Sequence, residues 1–250
     1  MATTLDGSVA LISGGGGGIG SAICMACASA GASVIATYAT DEARAARLVE
    51  SLPGRGHLAI HAPVDDSAAL ERLATLVWAR YGRLDLLVNN AGVTEQVPHG
   101  DLDALDDALI DRIFRVNWRG AFASVRALRP LLDVSGDAMI VNISSVAATT
   151  GVGSNVAYCA SKAALDSLTR SLARALAPRI RVLSIAPGWV EGEYAARADP
   201  ALLDEQRRRT PLGRIARAAD VADAVVAAAT LLRFTTGSSI AVDGGRPLGT

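Results

Sequence analysis

Short runs of β-branched and aliphatic residues alternate along the chain with longer stretches in which apolar residues recur every three or four positions. The apolar runs predict strands at Val9–Ser13, Ser33–Thr37, His57–Ala62, Leu84–Asn89, Ala138–Ser144, Arg181–Ala186 and Ser239–Val242. The segments between them predict helices near 18–30, 41–51, 67–81, 103–116, 120–132, 157–176 and 219–230. A strand-then-helix alternation of this kind predicts an α/β fold with a parallel seven-stranded sheet and helices on both faces. No linker, repeat or composition shift interrupts it, so 1–250 reads as a single domain. The least regular stretch is 188–211, which carries Gly, two prolines and charges around an Ala/Leu segment able to form short helices. It reads as an insertion above the sheet that covers a site.

Composition narrows the function classes. Half of the 250 residues are hydrophobic, enough for one substantial core and too many for a disordered chain. The 24 basic and 25 acidic residues leave a formal charge of -1, which argues against a nucleic-acid partner bound through many phosphate contacts. The run Arg207–Arg209 reads as a solvated helix face. The N-terminus has no basic region followed by a long apolar one, and no run reaches the length of a membrane span, so neither a secretory signal nor membrane association is expected. Three cysteines, at 24, 27 and 159, make no disulfide framework and fit a reducing, cytoplasmic setting. Cys24 and Cys27 lie inside an apolar helix with no further ligands near them in sequence, and His57, His61 and His99 complete no set, so no metal site is expected. Trp78 fits the buried stripe of its helix, Trp118 suits an interface, and Cys159 suits helix packing. Lys162 is the only lysine among the 24 basic residues.

The first strand runs directly into GGGGGIG and then into a helix. Glycines at 14, 18 and 20 let the backbone approach a phosphate, and the free N–H groups of the helix that follows favour negative charge. No GK[ST] follows, so the loop does not read as a kinase-like phosphate loop. Tyr158 and Lys162 lie four apart in a helical segment and so share a face, where an ammonium stabilises a phenolate.

These residues resemble the short-chain dehydrogenase/reductase family across almost the whole chain. Ser13, Gly14, Gly18 and Gly20 match its [TS]GxxxGxG pattern. Asn89-Asn90-Ala91-Gly92 resembles its NNAG turn, Asn117 its helix Asn, Ser145 its catalytic Ser, Tyr158-x-x-x-Lys162 its active-site pair, and Pro187-Gly188 its turn after the sixth strand. TPLGR at 210–214 and VDGG at 242–245 resemble the group that includes 3-oxoacyl-carrier-protein reductases. The resemblance implies a Rossmann-like doubly wound fold and an NAD(P)-dependent oxidoreductase acting on a small-molecule ketone or secondary alcohol, in all as a carbonyl reductase. It implies proton transfer by Tyr158, a tuning and ribose-binding role for Lys162, carbonyl polarisation by Ser145 and a water relay at Asn117. Ser145 is preferred to Ser144 on the family spacing to Tyr158. The implied cofactor contacts are Ser13, Gly14, Gly18, Ile19, Gly20, Tyr38, Val64, Asn90, Ala91, Gly92, Tyr158, Lys162, Pro187, Gly188 and Val190.

Departures from the family pattern bear on the cofactor. Tyr38 stands where an acid would select NAD(H), Gly17 where many NADP(H) enzymes place Arg, and Arg44 is the remaining candidate partner for an extra phosphate, so NADP(H) is expected over NAD(H). Pro63 replaces an adenine-contacting Asp, with Asp65 or Asp66 as possible substitutes, and Gly192 replaces a nicotinamide-contacting Thr. Trp189, Glu191, Glu193 and Tyr194 are candidate specificity residues, with Val93–Val97 as the opposite rim. Glutamates turned inward there would disfavour an anionic substrate. A dehydratase or isomerase on the same fold, or a non-catalytic nucleotide sensor, are the alternatives. The resemblance also implies a homotetramer or homodimer built on the helices carrying Asn117 and Tyr158 and on the last strand.

Overall fold

A computed structural model describes residues 4–192, 195–197 and 199–246. Seven strands, β1 (Val9–Ile12), β2 (Ser33–Tyr38), β3 (Leu58–His61), β4 (Leu86–Asn89), β5 (Ala138–Ile143), β6 (Ile180–Pro187) and β7 (Ser239–Val242), form one sheet in the order 3-2-1-4-5-6-7. Every neighbouring pair is parallel. Alternate residues of the central strands serve two cores. Ala10, Ile12, Val88, Val141 and Ile185 face α1 (Gly18–Ser29) and α9 (Ala218–Thr230), whereas Leu11, Leu87, Ile140 and Val182 face α3 (Ser67–Tyr81) and α5 (Ala121–Ser135). The strand order reverses between β1 and β4, which opens a crevice at their C-terminal ends.

The remaining helices are α2 (Glu42–Ser51), α4 (Asp107–Phe114), α6 (Ala147–Thr150), α7 (Val156–Leu176) and α8 (Pro200–Arg208). The helix expected from 103 begins later because Asp106 caps it, accepting from Leu109 N at 2.7 Å, while Asp101 holds a separate turn before it. It then passes through a π turn, Arg115–Gly120, into α5, which continues past Pro130 to a left-handed stop at Gly136. Trp78 is 54% exposed, contrary to its expected place in the core: the buried stripe of α3 is Leu70, Leu73 and Val77, and Trp78 falls beside it.

The 188–211 segment is pinned at both ends. Glu191 N donates to Ala216 O at 2.8 Å and Ala216 N to Trp189 O at 2.9 Å, while Leu212 N donates to Gly244 O at 3.2 Å. Between these anchors α8 starts at Pro200, capped by Asp199. Glu193 and Tyr194 lie outside the described residues.

Candidate active site

The Gly-rich loop after β1 and the Asn89–Gly92 turn after β4 meet at the crevice and form one hydrogen-bonded unit. Ser13 Oγ accepts from the N–H groups of Asn90 and Ala91, each at 3.0 Å. Asn90 Nδ2 returns donations to Ser13 O at 2.9 Å and Gly14 O at 3.1 Å. A Cβ on Gly20 would lie 2.3 Å from Gly14 O, and one on Gly15 2.7 Å from Ala36 Cβ, so these two glycines let the loop fold tightly against itself and β2. Gly18 has nothing within 4 Å of such a Cβ, leaving open space on the crevice side of α1, beside Ile19. Gly17, the N-cap of α1, supplies no side-chain cap. This glycine-lined cradle fits the pyrophosphate of a dinucleotide.

At the adenosine end Tyr38 is half-buried, its ring 5.5 Å from that of His61. Burial and then the Glu42 carboxylate raise its phenol above the ordinary value. Arg44 flanks the loop, since a Cβ on Gly16 would come 3.7 Å from its Cγ. Asp66 caps α3, and Asp65 pairs with Arg115 at 3.4 Å. Val64 is buried where a Cβ on Gly120 would meet it at 2.7 Å, tying the strand end to the π turn.

The chemical end gathers around α7. Asn155 caps this helix by accepting from Tyr158 N at 2.7 Å. Lys162, one turn on, is buried, with Nζ 5.7 Å from the Tyr158 ring centroid and donating to Ile143 O at 2.7 Å. Burial pushes its ammonium down to about 8, and the Asp166 carboxylate opposes that shift. Ser145, just past β5, accepts from Ala147 N at 3.2 Å, whereas Ser144 Oγ turns away to Lys162 O at 3.4 Å. Asn117 is fully buried on the π turn: Oδ1 accepts from Val93 N at 2.8 Å, and Nδ2 donates to Val93 O at 3.0 Å and Ser161 Oγ at 3.1 Å. A Cβ on Gly92 would lie 3.4 Å from Asn117 Oδ1 and 3.6 Å from Lys162 Nζ, so the two residues meet beneath that glycine.

The rim at Val93–Val97 is tied to the chain before α7, through a Thr94–Ser154 hydroxyl pair and a donation from Val97 N to Ser154 O at 2.9 Å. Across the site, Gly188 N donates to Val242 O at 3.0 Å, Val146 N donates to Pro187 O at 3.0 Å, and Val190 bridges to Ala216. Glu191 is exposed and acts electrostatically on Arg214. A cavity of about 410 Å³ opens behind Ser145, between α6, α7, β6 and β7.

The residues set aside in the sequence have structural partners. Burial raises both Cys24 and Cys27, the latter to about 12, as suits packing thiols. Each histidine ring bonds to backbone: His57 to Val34 and Pro53, His61 to Ala39, His99 to Gly153. Among the described residues no group of three side chains could hold a metal ion, and no helix is long and apolar enough to cross a membrane. Two residues escaped the sequence reading. Gly15 is hidden within a run of five glycines, and Asp166 reads as a surface position until the fold buries it.

Comparison with known proteins follows the same lines. The family model described as Enoyl-(Acyl carrier protein) reductase matches residues 15–246. A solved short-chain dehydrogenase/reductase from Brucella melitensis, titled glucose/ribitol dehydrogenase, superposes with a TM-score of 0.90 at 30% identity, covering 98% of this chain and 99% of that one. A 3-ketoacyl-(acyl-carrier-protein) reductase of the same organism, complexed with NADH, gives 0.88 at 30% identity, covering 97% and 99%. A gluconate 5-dehydrogenase from Burkholderia cenocepacia, in complex with NADP and tartrate, gives 0.89 at 32% identity, covering 99% and 98%.

Proposed function

The chain belongs to the short-chain dehydrogenase/reductase family and is an NAD(P)-dependent oxidoreductase, and from that premise we propose that Asn117, Ser145, Tyr158 and Lys162 position and protonate the carbonyl of a small ketone as the nicotinamide would reduce it. The observation that carries this reading is the Tyr158–Lys162 pair, a buried ammonium beside a phenol on one helix face, with Ser145 at the adjoining strand end.

When bound, the nicotinamide supplies the hydride, or accepts it when a secondary alcohol is oxidised. The chain's own part is to hold the substrate and move the proton. Tyr158 donates its hydroxyl proton to the substrate oxygen as negative charge builds there. Lys162 stabilises the phenolate left behind and binds ribose hydroxyls. Ser145, oriented by the Ala147 N–H, donates to the same substrate oxygen and positions the carbonyl. Asn117 clamps the Val93 rim and holds the water path by which Lys162 returns a proton to Tyr158.

The cradle from Ser13 to Gly20 takes the pyrophosphate, Tyr38 and Val64 the adenosine, Asn90–Gly92 the adjoining ribose, and Pro187, Gly188 and Val190 the nicotinamide. We assign NADP(H) as the preferred cofactor, because residue 38 is not acidic and Arg44 flanks the loop. The 188–211 segment, pinned at both ends, covers the substrate. Three buried free thiols accord with a reducing cytoplasm, and a homodimer or homotetramer accords with the exposed Trp118–Phe122 stack.

The test follows NADPH and NADH oxidation with 3-oxoacyl thioesters, cyclic ketones and sugars, the first being the substrate class in the name of one similar structure. Tyr158→Phe should lower kcat at least ~100-fold while cofactor binding, read by fluorescence titration, persists. Near-normal turnover by the folded variant overturns the assignment.

A further inference from the structure

Tyr158, Lys162 and Asp166 follow one another at intervals of four along α7, so all three lie on one stripe of the helix. Asp166 is 6% exposed and Lys162 5%, and one carboxylate oxygen of Asp166, Oδ1, is buried without a hydrogen-bond partner among the described residues. An acid serving only the fold would be expected to close its bonds, because a buried and incompletely satisfied carboxylate is costly. Asp166 makes no salt bridge within 4.0 Å among the described residues. Lys162 Nζ spends a hydrogen bond on Ile143 O instead, so the carboxylate acts on the ammonium through space.

We propose that Asp166 is a positioning residue for the Tyr158–Lys162 pair, its buried negative charge holding Lys162 in the ammonium form that Tyr158 requires. The inference rests on the proposed roles of that pair. Burial alone drives the ammonium toward losing its proton, and Asp166 is the group that opposes it. Asp166 forms part of the wall of the cavity behind Ser145.

Other charges near the pair are few or turned elsewhere. Asp243, in the loop after β7, borders the same cavity and accepts from Gly245 N at 2.8 Å; Cys159 is the neighbouring thiol on α7. The cavity walls supplied by α6, β6 and β7 at Val146, Thr149, Ala186 and Ser239 carry no charge. On the π turn Arg115 and Arg119 are tied to Asp65, and Asp107, Asp111 and Arg112 of α4 are exposed to solvent. β5 has no titratable side chain, and α5 meets α7 through Ala121.

The test is the pH profile of kcat/KM for ketone reduction, whose alkaline limb belongs to the coupled pair and not to either residue alone. Removing the negative charge lets both protons leave at lower pH, so Asp166→Asn should move that limb down by about one pH unit. The ratio of the rate above the limb to the rate at pH 6 should then fall up to about tenfold further than in the parent. Asp166→Glu, which keeps the negative charge at the cavity wall, should restore the limb, and Asp166→Ser serves as a second neutral variant should Asn fail to fold. A limb at the parent position in a folded neutral variant, with Tyr158→Phe inactive, overturns the role of Asp166 alone. Normal turnover by Tyr158→Phe overturns the pair assignment and the inference with it.

Discussion

At Lys162 two cations of equal charge are not interchangeable. Its Nζ sits in a buried slot 2.7 Å from Ile143 O, reached by a thin four-carbon stem. A guanidinium is a broad planar fork that cannot enter without displacing its neighbours, and it does not reproduce the point charge at the ammonium position. Lys162→Arg should therefore cost about 100-fold or more in kcat/KM although every other basic residue in the chain is Arg; a loss below about tenfold in steady-state assays would contradict the fit argued here. Arg44 is the opposite case, a cation at the edge of the loop whose charge matters more than its packing. Arg44→Ala should lower kcat/KM for NADPH about tenfold or more and leave the NADH value within about twofold, and equal losses with both cofactors would remove its role in phosphate recognition. That Tyr158 and Lys162 share a helix face was readable from their spacing of four, whereas Ser145 was singled out only by resemblance to the family pattern. Asp166 was not readable, since an Asp on an amphipathic helix reads as solvent-facing until the fold buries it. Nor did the sequence disclose that Asp65 and Asp66 are already engaged, one with Arg115 and one with the start of α3.

Elements are decided by what satisfies their ends. The start of α9 is held by Asp220, which takes both guanidinium nitrogens of Arg214, at 2.6 and 2.8 Å, and the N–H of Arg217 at 2.6 Å. The Arg214 hydrogen bond, followed by that from the Arg217 backbone, holds the carboxyl down at about 2. Because the folded value lies below the ordinary 3.8, the stabilisation is complete above about pH 4 and is lost as the pH falls through about 2. Asp220→Asn should cost about 1–2 kcal/mol at pH 7, or roughly 2–8 °C in Tm. The gap to the parent should close as thermal scans are taken toward pH 2; a gap that does not change with pH would mean the loss is one of packing. Such end signals also mark how far elements could be read beforehand. α9, α7 and α2 fall within a residue or so of expectation, because their apolar period and their caps agree. α4 does not, since three acidic residues between 101 and 106 each suit a helix start and the sequence does not say which is used. The π turn bearing Asn117 has no period of its own and shows only as a junction between two helical stretches, while Trp78 misled because a helix wheel tolerates a large apolar residue one position off the buried stripe.

On the scale of the whole molecule, the parallel sheet was legible because strands buried on both faces must be apolar throughout, and right-handed crossovers leave few ways to order them. A surface for self-association, as proposed above, was less legible, since it depends on which apolar side chains the finished fold leaves outside. Trp118 and Phe122 are about one-third exposed and stacked with ring centroids 6.2 Å apart at 9°, and Arg126 lies over the Phe122 ring at 5.9 Å. They continue the π turn and α5, the elements that hold Asn117 against Ser161 of α7, so an interface there would brace the catalytic face from outside. Introducing a charge into that stack is costly only if a second copy covers it, because an exposed Glu stays solvated. The Trp118→Glu, Phe122→Glu double variant should therefore shift the chain to a smaller assembly in light scattering at micromolar concentration, with reductase activity lowered in step and far-UV circular dichroism retained. An unchanged mass would leave the aromatic stack as ordinary surface and remove it as a contact between copies.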